Sequence, residues 1–111
     1  MTRITFIQPG GSHRNVVARA GLSVMETAKE HGIAGIAALC GGACACATCH
    51  VYVDAAWLGR LPEPEDIETA MLELAWERRH ESRLSCQITV TAQLDGLTLT
   101  VPAQQAGVEL A

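Results

Sequence analysis

Four of the five cysteines in this chain fall within one decapeptide, CGGACACATC at residues 40–49, and the fifth, Cys86, follows in the segment RLSCQI. Nothing else in the sequence limits the fold as tightly, because so many thiols on so short a loop are confined to one small volume. The number is odd, and the opening MTRITFIQPGG has no basic stretch leading through an apolar run to a cleavage site. A disulfide framework is therefore not expected, and the cysteine spacing itself carries the information. Every residue between these cysteines is small: Gly41, Gly42, Ala43, Ala45, Ala47 and Thr48. Such a loop can bring backbone N–H groups close to a bulky inorganic centre, and its glycines accept positive φ where the wrap requires it.

The remainder reads as one domain around one core. A length of 111 residues, 49% of them hydrophobic and 18% charged, supplies enough apolar surface for folding and argues against a disordered chain. Eight Lys and Arg against twelve Asp and Glu give a formal charge of −4, the opposite of what a phosphate-backbone reader needs, so no nucleic-acid partner is expected. No apolar run reaches bilayer length. No membrane partner is expected, and the expected location is cytoplasmic.

Periodicity places the elements. TRITFIQ, the break Pro9-Gly10-Gly11 and His13 to Ala18 predict a hairpin. Ser23 with Glu26 is a capping box that opens a helix of about three turns, carrying Val24, Met25, Ala28 and His31 and stopping at Gly32. Gly32 to Cys49 is a tight loop, His50 to Val53 a short strand, and Asp54 to Leu61 irregular. Pro62 and Pro64 break the chain before a helix from Asp66 to Arg78. Its predicted buried face is Ile67, Met71, Leu74 and Ala75, with Arg78, Arg79 and His80 at its end. Ile88 to Thr91 and Leu97 to Val101 read as strands separated by a turn at Asp95-Gly96, and Ala103 to Ala111 as a loosely held tail. The domain is expected over residues 1–105, with 106–111 as tail. Trp57 and Trp76 read as packing residues in or beside the core.

Cys40, Cys46, Cys49 and Cys86 give C-x5-C-x2-C with a distant fourth thiol, one residue longer in the first gap than the plant-type iron-sulfur spacing. A single-zinc site has no need for a sleeve of small residues and usually pairs C-x2-C with a second such pair or spaced histidines. The segment CGGACACATCHVYVD, with RLSCQI and a closing VP, resembles the adrenodoxin and putidaredoxin class of 2Fe-2S ferredoxins over nearly the whole chain. The resemblance implies an α+β fold of the β-grasp (ubiquitin-like) kind, a mixed sheet with a helix packed on it and a cluster-binding loop. It also implies one 2Fe-2S cluster ligated by Cys40, Cys46, Cys49 and Cys86, with Cys44 a small loop residue outside the ligand set. Gly41, Gly42, Ala45, Thr48, His50 and Arg83 are then expected around the cluster, His50 holding the loop rather than ligating.

Function follows from the same resemblance. It implies a one-electron carrier between an NAD(P)H-dependent flavoprotein ferredoxin reductase and an acceptor, a cytochrome P-450 monooxygenase in the first place. Partners are expected to dock through Asp66, Glu68 and Glu73 of the acidic helix and Leu39 at the loop rim. Six carboxylates between Glu63 and Glu77, with no Lys or Arg among them, form a one-sign field suited to steering basic partners. Four thiolates bring an oxidised two-iron, two-sulfide centre to about −2 and the reduced one to about −3, so one electron is stored. No Ser-His-Asp order, GxxxxGK or GxGxxG is present, which fits a carrier rather than an enzyme. A monomer is the simplest form for a carrier that meets two partners in turn. Three other readings compete: a ferredoxin supplying iron-sulfur cluster assembly, a zinc-stabilised interaction module, and a thiol oxidoreductase using Cys46-Ala47-Thr48-Cys49.

Overall fold

The computed structural model describes residues 2–33, 49–75, 77–102, 104–105 and 108–109. Of the residues singled out above, Leu39, Cys40, Gly41, Gly42, Cys44, Ala45, Cys46, Thr48 and Trp76 lie outside these, as does most of the loop from Gly32 to Cys49.

Strands β1 (Thr2–Ile7) and β2 (His13–Ala18) form the expected antiparallel hairpin, with Ile4 opposite Val16. Alternation along β1 buries Thr2, Ile4 and Phe6 and leaves Arg3 in solvent, as a one-sided strand requires. Helix α1 (Val24–Glu30) opens on the predicted capping box: Ser23 Oγ accepts from Glu26 N–H and the Glu26 carboxylate accepts from Ser23 N–H, each at 3.0 Å. It ends sooner than expected, at His31, where Gly32 turns the chain away at φ 65°.

Strand β3 (His50–Val53) is followed by helix α2 (Ala55–Leu58), which corrects the irregular stretch expected there. Asp54 starts it by accepting from Ala56 N–H. Helix α3 spans Asp66–Leu72 and stops six residues before the predicted Arg78, its last turn tightening through bonds from Leu74 N–H to Met71 and from Ala75 N–H to Leu72. Its buried face is partly as predicted, Met71 and Ala75 being half-buried against the core, but Glu68 and Leu72 also point inward, whereas Ile67 and Leu74 are 54% and 59% exposed.

Strand β4 (Ser82–Leu84) runs into a 3-10 turn, Ser85–Gln87. The predicted strand at Ile88 to Thr91 is instead a single antiparallel bridge between Ser23 and Thr89, flanked by backbone bonds from Val24 to Ile88 and from Val90 to Leu22. After a second 3-10 turn, Ala92–Leu94, strand β5 (Leu97–Thr100) enters the sheet, and two short strands, β6 (Gln104–Gln105) and β7 (Val108–Glu109), pair with each other within the predicted tail.

The five-stranded sheet has the order β2-β1-β5-β3-β4. β5 is parallel to β1 and antiparallel to β3, so the last main strand occupies the centre. The sheet and α1 enclose Ile4, Phe6, Val24, Val51, Leu84, Leu97 and Leu99, all 0% exposed. This is the α+β, mixed-sheet β-grasp arrangement. No described helix is long and apolar enough to cross a membrane.

Candidate metal centre

The register of β3 against β4 builds one side of the centre. His50 pairs with Leu84, which puts the residue before β3 and the residues after β4 at the same end of the sheet. Cys49 and Cys86 are those residues, and their sulfurs lie 3.1 Å apart. That is well beyond the ~2.05 Å of a disulfide and shorter than the ~3.8 Å edge of a tetrahedron built on metal–thiolate bonds of ~2.3 Å, so the two sulfurs would spread slightly to share one metal. Residues 37 positions apart in sequence thus present two thiols to one point. The turn is held there by its own residues: Ser85 donates to the Cys49 carbonyl from both N–H (2.9 Å) and Oγ (2.7 Å), and Gln87 Nε2 reaches Cys86 Sγ at 3.5 Å. Cys49 is buried and Cys86 half-buried.

Behind the thiols, the strand residues are locked by polar contacts. His50 and Tyr52, two apart on β3, share a face, their rings edge to face at 4.7 Å. His50 Nε2 lies 2.7 Å from Ser82 Oγ, which also accepts from Arg79 N–H at 2.7 Å. Burial, reinforced by the positive Arg79, lowers the His50 imidazole from 6.5 to about 4, so the ring is neutral at pH 7. Tyr52 donates to the Glu77 carbonyl at 2.7 Å beneath the Arg79 guanidinium, which sits 4.3 Å from the ring centroid.

Arg83 and Glu68 form a buried two-pronged pair: Arg83 Nε donates to Glu68 Oε2 at 2.6 Å and Nη2 to Oε1 at 3.0 Å. The remaining capacity is used as well. Arg83 Nη1 donates to the Pro62 carbonyl at 2.8 Å, and Glu68 Oε2 accepts from Leu84 N–H at 2.9 Å. The pair therefore fastens α3 and the Pro62 loop to β4 two residues before the Cys86 turn.

This corrects one expectation directly. Glu68 was grouped with the docking acids, but it is 1% exposed and its carboxylate is fully engaged within the fold. Asp66 and Glu73, by contrast, are exposed. Ser82 and Tyr52 were not anticipated at all. The signal for Glu68 was its place four residues before Leu72, on the apolar side of a helix. Trp57 is half-buried against the core, with Arg60 stacked on its ring at 4.2 Å.

Comparison with known proteins agrees with this construction. Residues 7–91 match the family described as the 2Fe-2S iron-sulfur cluster binding domain, and the chain belongs to that family. It is 52% identical to ferredoxin CarAc from a Sphingomonas species over 104 residues, covering 94% of this chain and 95% of that protein. Among solved structures, a ferredoxin from Rhodopseudomonas palustris HaA2 superposes with a TM-score of 0.90 at 49% identity, covering 93% of this chain and 98% of that one. The matching chain of the covalent putidaredoxin reductase–putidaredoxin complex superposes with a TM-score of 0.86 at 40% identity, covering 91% and 98%. The protein is an electron-transfer ferredoxin rather than an enzyme, and its cofactor is one 2Fe-2S cluster. Two thiols converging from the ends of adjacent strands fit that cofactor, which stores one electron.

Proposed function

We propose that the protein takes single electrons from an NAD(P)H-dependent flavoprotein ferredoxin reductase and delivers them to a cytochrome P-450 monooxygenase, its cluster held by Cys40, Cys46, Cys49 and Cys86. The observation that carries the reading is the convergence of Cys49 and Cys86 at the end of β3 and β4, the latter fastened through Arg83 to a helix that exposes acidic and apolar residues together. On α3 and its flanks, Glu63, Glu65, Asp66, Glu73 and Glu77 are exposed around Ile67 and Leu74. Charges of one sign steer a basic partner, and a small apolar patch gives it something to settle on without holding it long. The proposed docking face is Asp66 and Glu73, with Leu39 at the loop rim. Glu68 is omitted because its charge is spent inside the fold.

Around the cluster, Gly41, Gly42, Ala45 and Thr48 are proposed as the close-fitting sleeve, with Cys44 outside the ligand set. His50 and Arg83 act from behind, the first through Ser82, the second through Glu68. The reductase as donor is supported by the likeness to the putidaredoxin chain of a reductase complex. Thiols that must stay reduced to bind iron suit the cytoplasm as the proposed compartment.

The test begins with anaerobically purified protein: its visible spectrum before and after dithionite, with iron and acid-labile sulfide counted on the same sample. One electron taken up per two irons is expected, with Cys40→Ser, Cys46→Ser, Cys49→Ser and Cys86→Ser each losing the cluster and Cys44→Ser keeping it. Holo-protein is then mixed with putidaredoxin reductase and NADH, and electron delivery to a cytochrome P-450 followed. A cluster lost in Cys44→Ser would overturn the ligand set. Reduction by the reductase without delivery to any P-450, together with tight binding to a cluster-assembly desulfurase, would move the protein to iron-sulfur cluster assembly.

A further inference from the structure

Beside the acidic helix, a cleft of about 810 Å³ opens between α2, the 59–64 loop, Leu72 of α3 and the segment 78–83. Its volume lies in the range of sites that take one small molecule. Leu61 and Leu72 are buried beneath it, and half-buried Leu58 forms a wall. Arg78, Arg79 and His80 line the same cleft and are exposed. Among the described residues no ion pair involves Arg78 or His80, whereas Arg79 has Glu77 at 4.0 Å. Among the described residues Glu63 is the one exposed carboxylate lining the cleft, and the charge of Arg83 is already cancelled by Glu68. A chain of net charge −4 therefore carries one concave surface that is apolar at its base and positive at its edge.

We propose that this cleft binds a small anionic amphiphile, its apolar body on Leu58, Leu61 and Leu72 and its carboxylate against Arg78 and His80. An acidic segment of another protein is the poorer occupant. It would leave the leucines unused, and the overall negative field would oppose each of its charges, whereas a single carboxylate meets that field once. The inference does not depend on which acceptor the ferredoxin serves.

Isothermal titration of the holo-protein with sodium decanoate, and separately with decanol, tests it. One saturable site is expected for decanoate, about fivefold or more tighter than for decanol, with Arg78→Glu and His80→Glu each weakening decanoate by about fivefold and leaving decanol unchanged. Glu63→Gln should tighten decanoate by removing the opposing charge. The cluster spectrum of each variant confirms that the fold is intact. Equal affinity for decanoate and decanol, or indifference to Arg78→Glu, overturns the proposal. So does a polyglutamate peptide that binds in an Arg78-dependent way where decanoate fails, which would assign the cleft to a protein partner.

Discussion

Glu68 shows how one side chain can change its meaning between sequence and fold. In sequence it is one carboxylate among six; in the structure it holds Arg83 by two bonds and the Leu84 N–H by a third. Breaking a buried pair by removing one partner leaves the other charged and unpaired, so Glu68→Ala should cost about 3–5 kcal/mol, read as a lower denaturant midpoint. Glu68→Gln, which keeps hydrogen bonding but not charge, should fall between the two. Tyr52 offers a second reading at this scale because it is the sole tyrosine. Burial pushes its phenol above the ordinary 10.0, the Arg79 guanidinium pulls it back, and Glu77 and Glu81 add to the rise. Above pH 10 the unfolded chain gives up this proton before the folded one does. Its contribution to stability is thus present below that pH and declines above it, at no more than about 1.4 kcal/mol per pH unit. A phenolate absorbance titration of the folded protein with its midpoint at or below 10 would refute this.

At the scale of elements, α3 is where periodicity misled and where the proposed docking face lies. The spacing of Ile67, Met71, Leu74 and Ala75 is half right: Met71 and Ala75 rest half-buried against the core, while Ile67 and Leu74 face out and Glu68 and Leu72 take the packed side. Apolar periodicity assumes that the charged side is the wet side, and Arg83 inverts that by giving Glu68 a partner from β4. The consequence for docking is measurable. Asp66→Asn with Glu73→Gln should slow reduction by the reductase several-fold at low ionic strength, with the difference from wild type vanishing at high salt. An unchanged rate at low salt would remove the acids from the docking face. Where local chemistry was explicit, reading was easier: the Ser23/Glu26 box marked the start of α1 without error. The alternation at Ile88 to Thr91 reported burial correctly, since Ile88 and Val90 are 3% and 1% exposed, but burial on one side does not supply a ladder partner. Helix α2 went unread because four residues are too few to show a period.

For the whole molecule, the cysteine spacing and the flanking HVYVD and RLSCQI identified the family, and the hairpin and β3 were legible from alternation. The order β2-β1-β5-β3-β4 was not, because nothing in the local pattern of Leu97 to Thr100 says that it lies between β1 and β3. Nor did sequence show that Cys49 and Cys86 sit at one end of a paired strand register, since that depends on contacts 37 residues apart. That central strand predicts a cooperative failure: truncation before Leu97 should abolish the folded state entirely, with no residual near-ultraviolet circular dichroism. A truncated chain that kept native tertiary signal would contradict it.

The same topology sets a timetable for synthesis. Strand β5 is the last of the five sheet strands to leave the ribosome, yet β1 and β3 have no contact across the sheet until it arrives. Until β5 is made, β1–β2 and β3–β4 are therefore two half-sheets, each with an unsatisfied edge. Metal met during that interval would find thiols with no finished scaffold around them. The codons of Leu97 to Thr100, rather than those of the cysteines, decide when the sheet that carries Cys49 and Cys86 is complete.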